Sequence, residues 1–337
     1  MAILKQRLLR LGVHLRRHPY LFALIGFIGG IASFALVERQ DDMAGLIALF
    51  MLASWLLLVL ETPVRKLMKW LFRLDMPPSL VRFTTQLVHQ ESYFFVLPFF
   101  LITTTWASSQ VIFTALLILA ALISIIDPIY YGWLARRRWL FLAYHALALF
   151  VLLLTALPII FHLSTPDSYA IATVVSVLFA LPSLLRAIPV GGVKGAASLM
   201  AMVVVLGSAA WLGRAAVAPA TLWLTEGSIT HTVDRQQKSA GEGRQQFNVA
   251  QLTEQGIFAY TAIRAPLGLN ERIYHQWRHQ GQIVDQIPLD IHGGREDGYR
   301  AWTRKESFPA DPRGQWQVRV KTEAGQQVGQ LRFTVTD

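Results

Sequence analysis

The chain has 337 residues, of which 53% are hydrophobic and 15% charged, so it is more apolar than an average soluble domain. It contains no cysteine, which excludes a disulfide framework, a zinc–thiolate site and a thiol nucleophile. The formal net charge is +10, and most of the excess belongs to residues 1–213, which hold 16 basic and 8 acidic residues. Because these basic residues lie beside apolar runs, they favour anionic lipid over nucleic acid as a partner.

Long apolar runs fill the first two-thirds of the chain and predict a membrane bundle of about seven transmembrane helices. A bilayer core needs about 20 helical residues, with about 17 as the lower limit. The third run is short, and must borrow flanking residues or line a partly wet site. The predicted spans are Tyr20–Val37, Met43–Leu60, Tyr93–Trp106, Val111–Ile126, Trp139–Phe161, Tyr169–Leu185 and Ala196–Gly213.

Lysine and arginine are concentrated in alternate connections between these runs. Fifteen lie in the segments that are internal if the N-terminus is cytoplasmic, and one, Arg39, lies in the short outer loops. This bias predicts a cytoplasmic N-terminus, and an odd number of spans then places everything after Gly213 in the periplasm of a bacterium. The inner segments are 1–19, 61–91, 127–138 and 186–195, and the outer loops are 38–42, 107–110 and 162–168.

Within the first inner loop, Pro63–Leu74 has a basic amphipathic pattern. Val64, Leu67, Met68 and Leu71 recur at helical spacing, and basic residues occupy the other side. Such a helix suits the anionic cytoplasmic surface of the membrane, and a cytoplasmic extension of the second span is the alternative.

After Gly213 the character of the sequence changes twice. Residues 214–255 predict a segment at the outer interface around Trp223, followed by a polar linker at Asp234–Gln246. Across residues 256–337 apolar residues alternate with polar ones, as in Trp316, Val318 and Val320, and glycine-containing turns separate the runs. This pattern predicts an antiparallel β-sandwich of six strands.

Ionisable residues at membrane depth are costly, so they are candidate functional groups. Glu61 and Asp127 end two of the runs, where they either form a carboxylate path for protons or cations or cap helices at the interface. His145 lies deeper, and is either a proton relay or metal ligand or a buried structural histidine; no His or carboxylate stands four residues away.

In the C-terminal domain, His275 and His279 share a predicted strand but lie about 13 Å apart at ~3.3 Å per residue, too far to share one zinc ion. Arg295, Arg300, Arg304 and Trp302 are concentrated in one stretch. They predict a face that binds an anionic glycan or lipid headgroup, and the alternative is arginines that cover a buried tryptophan edge. No motif predicts a catalytic site, a cofactor or a metal, so an enzyme is disfavoured.

The C-terminal residues resemble an uncharacterised bacterial family, domain of unknown function 2914. The resemblance implies a module that follows membrane spans in a bacterial envelope, and it implies no activity. The matching residues are His275-Gln-Trp277, Gly293-Gly-Arg295, Tyr299-Arg300-Ala-Trp302, Gly314-Gln-Trp316-Gln-Val318-Arg-Val320 and Phe333-Thr-Val335.

The sequence therefore predicts a multi-pass inner-membrane envelope protein whose periplasmic sandwich binds a glycan, a lipid headgroup or a protein. The alternative is a transporter or lipid-translocating protein with an accessory periplasmic domain, which requires a polar, water-accessible cavity among spans three to six. A membrane-embedded transferase is the third hypothesis, and it requires clustered carboxylates.

Overall fold

The structure is a computed structural model that describes residues 41–59, 78–187 and 192–337, together with positions 24, 28, 29, 32, 66, 67 and 69–71. Glu61, most of the first predicted span and most of the predicted surface helix lie outside the described residues. Contacts divide the chain into two compact units. The helical unit comprises Met1–Phe99, Ala115–Ala156 and Ile171–Ala209, and the β unit comprises Phe100–Thr114, Leu157–Ala170 and Ala210–Asp337.

Helices occupy the predicted runs from the second onwards, in several cases with different ends. The long helices are α1 (Asp41–Val59), α2 (Pro78–Thr103), α3 (Gln110–Ile125), α5 (Arg138–Phe161), α6 (Thr165–Ala187) and α7 (Gly192–Gly213). A short α4 (Asp127–Ile129) continues as a π-helix, Tyr130–Leu134. Pro128 stands at its start, where a missing backbone N–H costs nothing.

The prediction of seven membrane spans is wrong for the part of the chain that the structure describes. Two helices there, Arg138–Phe161 and Gly192–Ala216, are long and apolar enough to cross a bilayer. A third candidate is the pair Gln110–Ile125 and Asp127–Leu134, which is bent by 95°. The number of candidate spans is smaller than predicted for two reasons. The helix α3 has only 16 residues, and α2 begins at Pro78, so the first half of α2 carries polar side chains.

The β domain consists of two main sheets. One has the order β1-β5-β8, formed by Trp223–Thr230, Ile257–Arg264 and Tyr299–Lys305. The other has the order β4-β10-β9-β6-β7, formed by Gln246–Asn248, Gln327–Thr336, Gly314–Thr322, Asn270–His279 and Gln282–His292. Neighbouring strands are antiparallel except β4 and β10, which are parallel.

Residues from both sheets share two hydrophobic clusters, so the sheets pack face to face. One cluster contains Trp277, Trp316 and Phe333 from the larger sheet with Ile229 and Ile257 from the smaller. The other joins Ile273 and Val320 to Ile263. Alternation along β9 explains this arrangement, since Trp316, Val318 and Val320 are buried and the residues between them face outward.

Residues 214–255 differ from the predicted interfacial segment and linker. The strand β1 pairs along its length with β5, from Trp223 opposite Arg264 to Thr230 opposite Phe258. A small hairpin, β2 (Val233–Asp234) and β3 (Ser239–Ala240), lies in the predicted linker, and β4 and α8 (Val249–Gln255) follow it. The sandwich therefore begins at Trp223. The sequence pattern did not reveal this strand, because strands pair through their backbones and do not require a strict alternation of apolar side chains.

Candidate functional site

The arginine-rich stretch of the C-terminal domain lies on β8 and the turn before it. Arg300, Trp302 and Arg304 alternate with the buried residues Ala301, Thr303 and Lys305, so the three side chains lie on the outer face of the smaller sheet. Trp302 stacks on Tyr260 of β5 with 6.5 Å between ring centroids and 11° between planes. Arg295 lies in the preceding turn, over the ring of Tyr299 at 5.5 Å.

The cations of this stretch already have partners within the domain. Arg304 forms an ion pair with Glu306 at 2.7 Å and donates to the carbonyl of Gln255, and Arg300 lies 4.0 Å from Asp297. Tyr260 is 1% exposed and donates its hydroxyl hydrogen to the Lys238 carbonyl. The positive charge of this face is thus largely compensated by neighbouring carboxylates. Its role in binding a ligand stays a prediction.

His275 is fully buried between the two sheets. Its Nε2 and Nδ1 atoms each lie 3.0 Å from a threonine hydroxyl, Thr261 and Thr303 respectively. Burial lowers its pKa to about 3, so the ring is neutral at physiological pH. His279 instead stacks on Trp316 and donates from Nε2 to the Arg313 carbonyl at 2.8 Å. No group of three metal-ligating side chains occurs within the described residues.

A polar cluster lies inside the helical unit, around His145. The Nδ1 atom of His145 is 2.9 Å from Nε2 of His89 on α2, and Nδ1 of His89 is 2.7 Å from the hydroxyl of Tyr130 in the π-helix. The ring of Trp55 covers His145, with centroids 4.5 Å apart, and its indole N–H donates to Ser92. The partner that His145 lacks along its own helix therefore comes from a neighbouring helix.

Asp127 belongs to a second network one turn away. The side-chain amide of Gln86 donates to Oδ1 of Asp127 at 2.7 Å and accepts from the Tyr131 hydroxyl at 2.6 Å. The same amide nitrogen also donates to the Ser124 carbonyl. The carboxylate of Asp127 is thus held by hydrogen bonds and remains partly exposed.

These two networks meet at a pocket of about 830 Å³, within the range of ligand pockets, roughly 300–1,000 Å³. Its charged groups are two exposed guanidinium groups, Arg82 and Arg136, and the carboxylate of Asp127. The pocket therefore combines a net positive charge with apolar walls. The remaining lining residues are Val81, Thr85, Pro128, Tyr130, Tyr131, Gly132, Ala135 and Phe141.

His89 and Gln86 were missed because 61–91 is predicted as an inner loop, and Tyr130 because 127–138 is predicted as another. A signal for them was present: Arg82, Gln86, His89 and Tyr93 recur at helical spacing and place polar groups on one face of α2. The tyrosines could not be found this way, because a π-helical turn rotates side chains out of the usual register.

Two family models match the chain. One, described as a family of unknown function (DUF5924), matches residues 1–259.

The chain belongs to the DUF5924 family.

The second model, described as a protein of unknown function (DUF2914), matches residues 270–335. This match confirms the resemblance at the C-terminus. The DUF5924 match ends within β5, so the two matches together cover one folded sandwich. No curated protein and no solved structure matches the chain.

Proposed function

We propose that this DUF5924 protein is a multi-pass inner-membrane protein that binds a phosphate-bearing lipid headgroup in the pocket of its helical unit. The observation that supports this proposal is the pocket lined by Arg82, Arg136 and Asp127. Guanidinium groups form forked hydrogen bonds with phosphate oxygens, and Arg82 and Arg136 supply two of them. The apolar side chains of Val81, Pro128 and Phe141 suit the adjoining glycerol and acyl carbons.

The carboxylate in the same pocket narrows the headgroup class. Asp127 would repel a purely anionic ligand but would pair with an ammonium group, so a headgroup with both a phosphate and an amine fits best. Phosphatidylethanolamine has this chemistry, and phosphatidylglycerol lacks the amine.

The test uses the full-length protein in detergent micelles and short-chain forms of both lipids. We expect Arg82→Gln and Arg136→Gln each to weaken binding of both lipids about tenfold, measured by calorimetry. Asp127→Asn should weaken only phosphatidylethanolamine binding. Arg137→Gln is the matched control, because Arg137 is exposed, lies next to Arg136 and packs on Trp133 rather than lining the pocket.

The arginine face of β8 is the alternative location for the ligand, and the same assay distinguishes the two. If Arg300→Ala weakens lipid binding while Arg136→Gln leaves it unchanged, the ligand site lies in the sandwich and the pocket proposal is wrong. A full-length protein that binds neither lipid would also overturn it.

A proton-coupled transporter is the second candidate, and the chain Tyr130–His89–His145 favours it. A proton that arrives on the Tyr130 oxygen can displace the hydroxyl proton onto Nδ1 of His89, whose Nε2 proton then passes to Nδ1 of His145. In vesicles with a trapped pH-sensitive dye, His89→Leu should reduce proton flux to the level of protein-free vesicles. Tyr144→Phe should not, because that hydroxyl donates to the Ala120 carbonyl. Wild-type flux equal to that of empty vesicles would contradict this candidate.

A further inference from the structure

The outer face of the five-stranded sheet carries a cluster of cations. Outward residues on β9 are Gln317, Arg319 and Lys321, which alternate with buried core residues. In the sheet register, Arg278 of β6 and Arg332 of β10 lie opposite Gln317 from its two sides. Four cations on three adjacent strands thus form one surface, the basic face, defined as Arg278, Arg319, Lys321 and Arg332.

The positive charge of the basic face is not compensated within the domain. Across residues 192–337, all of which the structure describes, none of the four cations forms an ion pair with a carboxylate. Arg278 donates instead to the Gly281 carbonyl. By contrast Arg272, also on β6, pairs with Asp290 at 2.8 Å.

The cations also repel one another in a partly buried setting. The pKa of Lys321 is lowered by burial first and then by Arg319 and Arg278. Burial, followed by Arg278 and Arg332, likewise lowers the pKa of Arg319. Solvated arginines on a sheet surface are usually spaced or paired, because like charges on adjacent strands destabilise the sheet.

Two buried hydrogen-bond donors on this face lack partners. The Nε atom of Arg319 is buried and unpaired, and so is the side-chain amide nitrogen of Gln330, the residue opposite it on β10. Buried donors without partners are uncommon in folded proteins. An oxyanion seated on the face would accept hydrogen bonds from both.

A small pocket adjoins the basic face. Its volume is about 210 Å³, and it shares Gln317 and Arg332 with the face. The other lining residues are Gln245, Gln315, Trp316, Phe333 and Thr334. Amide and hydroxyl groups dominate the outward side chains here, so the pocket can hold a compact polar group.

We propose that the basic face binds a phosphate group seated over Arg319 and the opposite Gln330, with Arg278 and Arg332 on the flanking strands toward one end of β9 and Lys321 toward the other. Forked guanidinium hydrogen bonds recognise the phosphate oxygens, and Lys321 adds a point charge. The phosphate belongs either to a free phosphorylated molecule or to a lipid headgroup. This site lies in the β unit and is independent of the helical pocket.

The experiment measures thermal unfolding and binding of the full-length protein in micelles. Inorganic phosphate and pyrophosphate should raise the wild-type melting temperature at concentrations on the order of 10 mM, whereas sodium chloride of equal ionic strength should not. Arg319→Gln and Lys321→Gln should each weaken binding about tenfold. Arg272→Gln is the matched control, with its cation on the same sheet but paired with Asp290.

Stability without phosphate separates a binding role from a structural one. Because the cations repel one another, Arg319→Gln should leave the melting temperature unchanged or raise it, whereas loss of a purely structural arginine would lower it.

Short-chain phosphatidylglycerol distinguishes the two sources of the phosphate. If it binds and inorganic phosphate does not, the phosphate belongs to a lipid. Arg136→Gln should leave this binding intact, which distinguishes it from the helical pocket. The proposal is wrong if inorganic phosphate, pyrophosphate and short-chain phosphatidylglycerol all fail to bind. It is also wrong if Arg272→Gln weakens binding as much as Arg319→Gln does.

Discussion

Two buried ionisable residues on β6 respond to pH in opposite directions. Glu271 is 4% exposed, and its Oε2 atom accepts a hydrogen bond from the Thr165 backbone N–H at 2.7 Å. Burial raises its pKa to about 7, the hydrogen bonds from Thr165 oppose that rise, and repulsion from Glu323 and Asp167 adds to it. Its Oε1 atom has no hydrogen-bond partner in the part of the chain that the structure describes.

Glu271→Gln should therefore stabilise the protein above pH 7. A carboxyl whose folded pKa is raised contributes its full stability below its unfolded pKa, near 4.5, and loses it as the pH rises to about 7. The glutamine keeps an acceptor for Thr165 without the buried charge. We expect a gain of at most about 3 kcal/mol at pH 8 and almost none at pH 4.5, measured by denaturant unfolding in micelles. A loss of stability at pH 8 would mean that the charged hydrogen bond to Thr165 outweighs burial.

His275 should produce the opposite slope. Its folded pKa of about 3 lies below the unfolded value of 6.5, so its contribution is complete above pH 6.5 and is lost as the pH falls toward 3. Between pH 4.5 and 6.5 the two residues offset each other. In the Glu271→Gln protein, stability should consequently fall by a few kcal/mol as the pH drops through that window. A flat profile in that variant would show that His275 takes up a proton in the folded protein as readily as in the unfolded chain.

At this scale the sequence identified His145 and Asp127 but not the residues that surround them. His145 lacks a ligand on its own helix, and its partner His89 is 56 positions away. Such pairing depends on how helices pack, which periodicity along one helix does not specify. The basic face was missed for the same reason, since it joins β6, β9 and β10 through sheet register.

At the scale of elements, alternation predicted β6, β7, β9 and β10 of the larger sheet, but it missed β4 and β1. The sequence of β1 has Gly227 at its centre and polar residues on both sides. A Cβ atom on Gly227 would come 2.5 Å from a Leu331 side-chain carbon, so glycine allows the close approach of β10. Glycine inside a strand weakens the pattern that identifies strands.

The pairing of β1 can be tested by hydrogen exchange. Amides of residues 226–230 should be protected as strongly as those of 257–263, because the two strands form one antiparallel ladder. The turn around Gln236 and Gln237 should exchange faster, since both are exposed. Fast exchange throughout 223–248 would instead match the predicted linker. The measurement uses the full-length protein in micelles with mass-spectrometric detection.

At the scale of the whole molecule, the β unit gathers segments that are distant in sequence. It includes residues 100–114 and 157–170 in addition to the sandwich. The amide of Gln110 donates to the Gln327 carbonyl, and Thr165 donates to Glu271. These two segments contain the loops that the basic-residue bias places outside the cytoplasm. Their contacts with the sandwich support the proposed periplasmic location of the C-terminal domain, although the described residues contain fewer candidate spans than predicted.

The proposed orientation depends on whether an odd or an even number of helices crosses the membrane, and not on the total number of spans. Arg136, Arg137 and Arg138 stand at the start of α5 and should remain cytoplasmic, so α5 should end outside. The proposal then requires α6, whose apolar part is shorter than the candidate spans of the described residues, to cross back before α7 leads out to the sandwich. The chain has no cysteine, so single cysteines can be labelled without background. In intact cells, a membrane-impermeant maleimide should label Ser109→Cys, Asp167→Cys and Glu323→Cys, all at exposed positions. It should label Arg137→Cys only after the cells are permeabilised. If Arg137→Cys is labelled in intact cells and Glu323→Cys is not, the proposed orientation is reversed. If only one of Asp167→Cys and Glu323→Cys is labelled, the two segments lie on opposite sides of the membrane, which contradicts their contacts within the β unit.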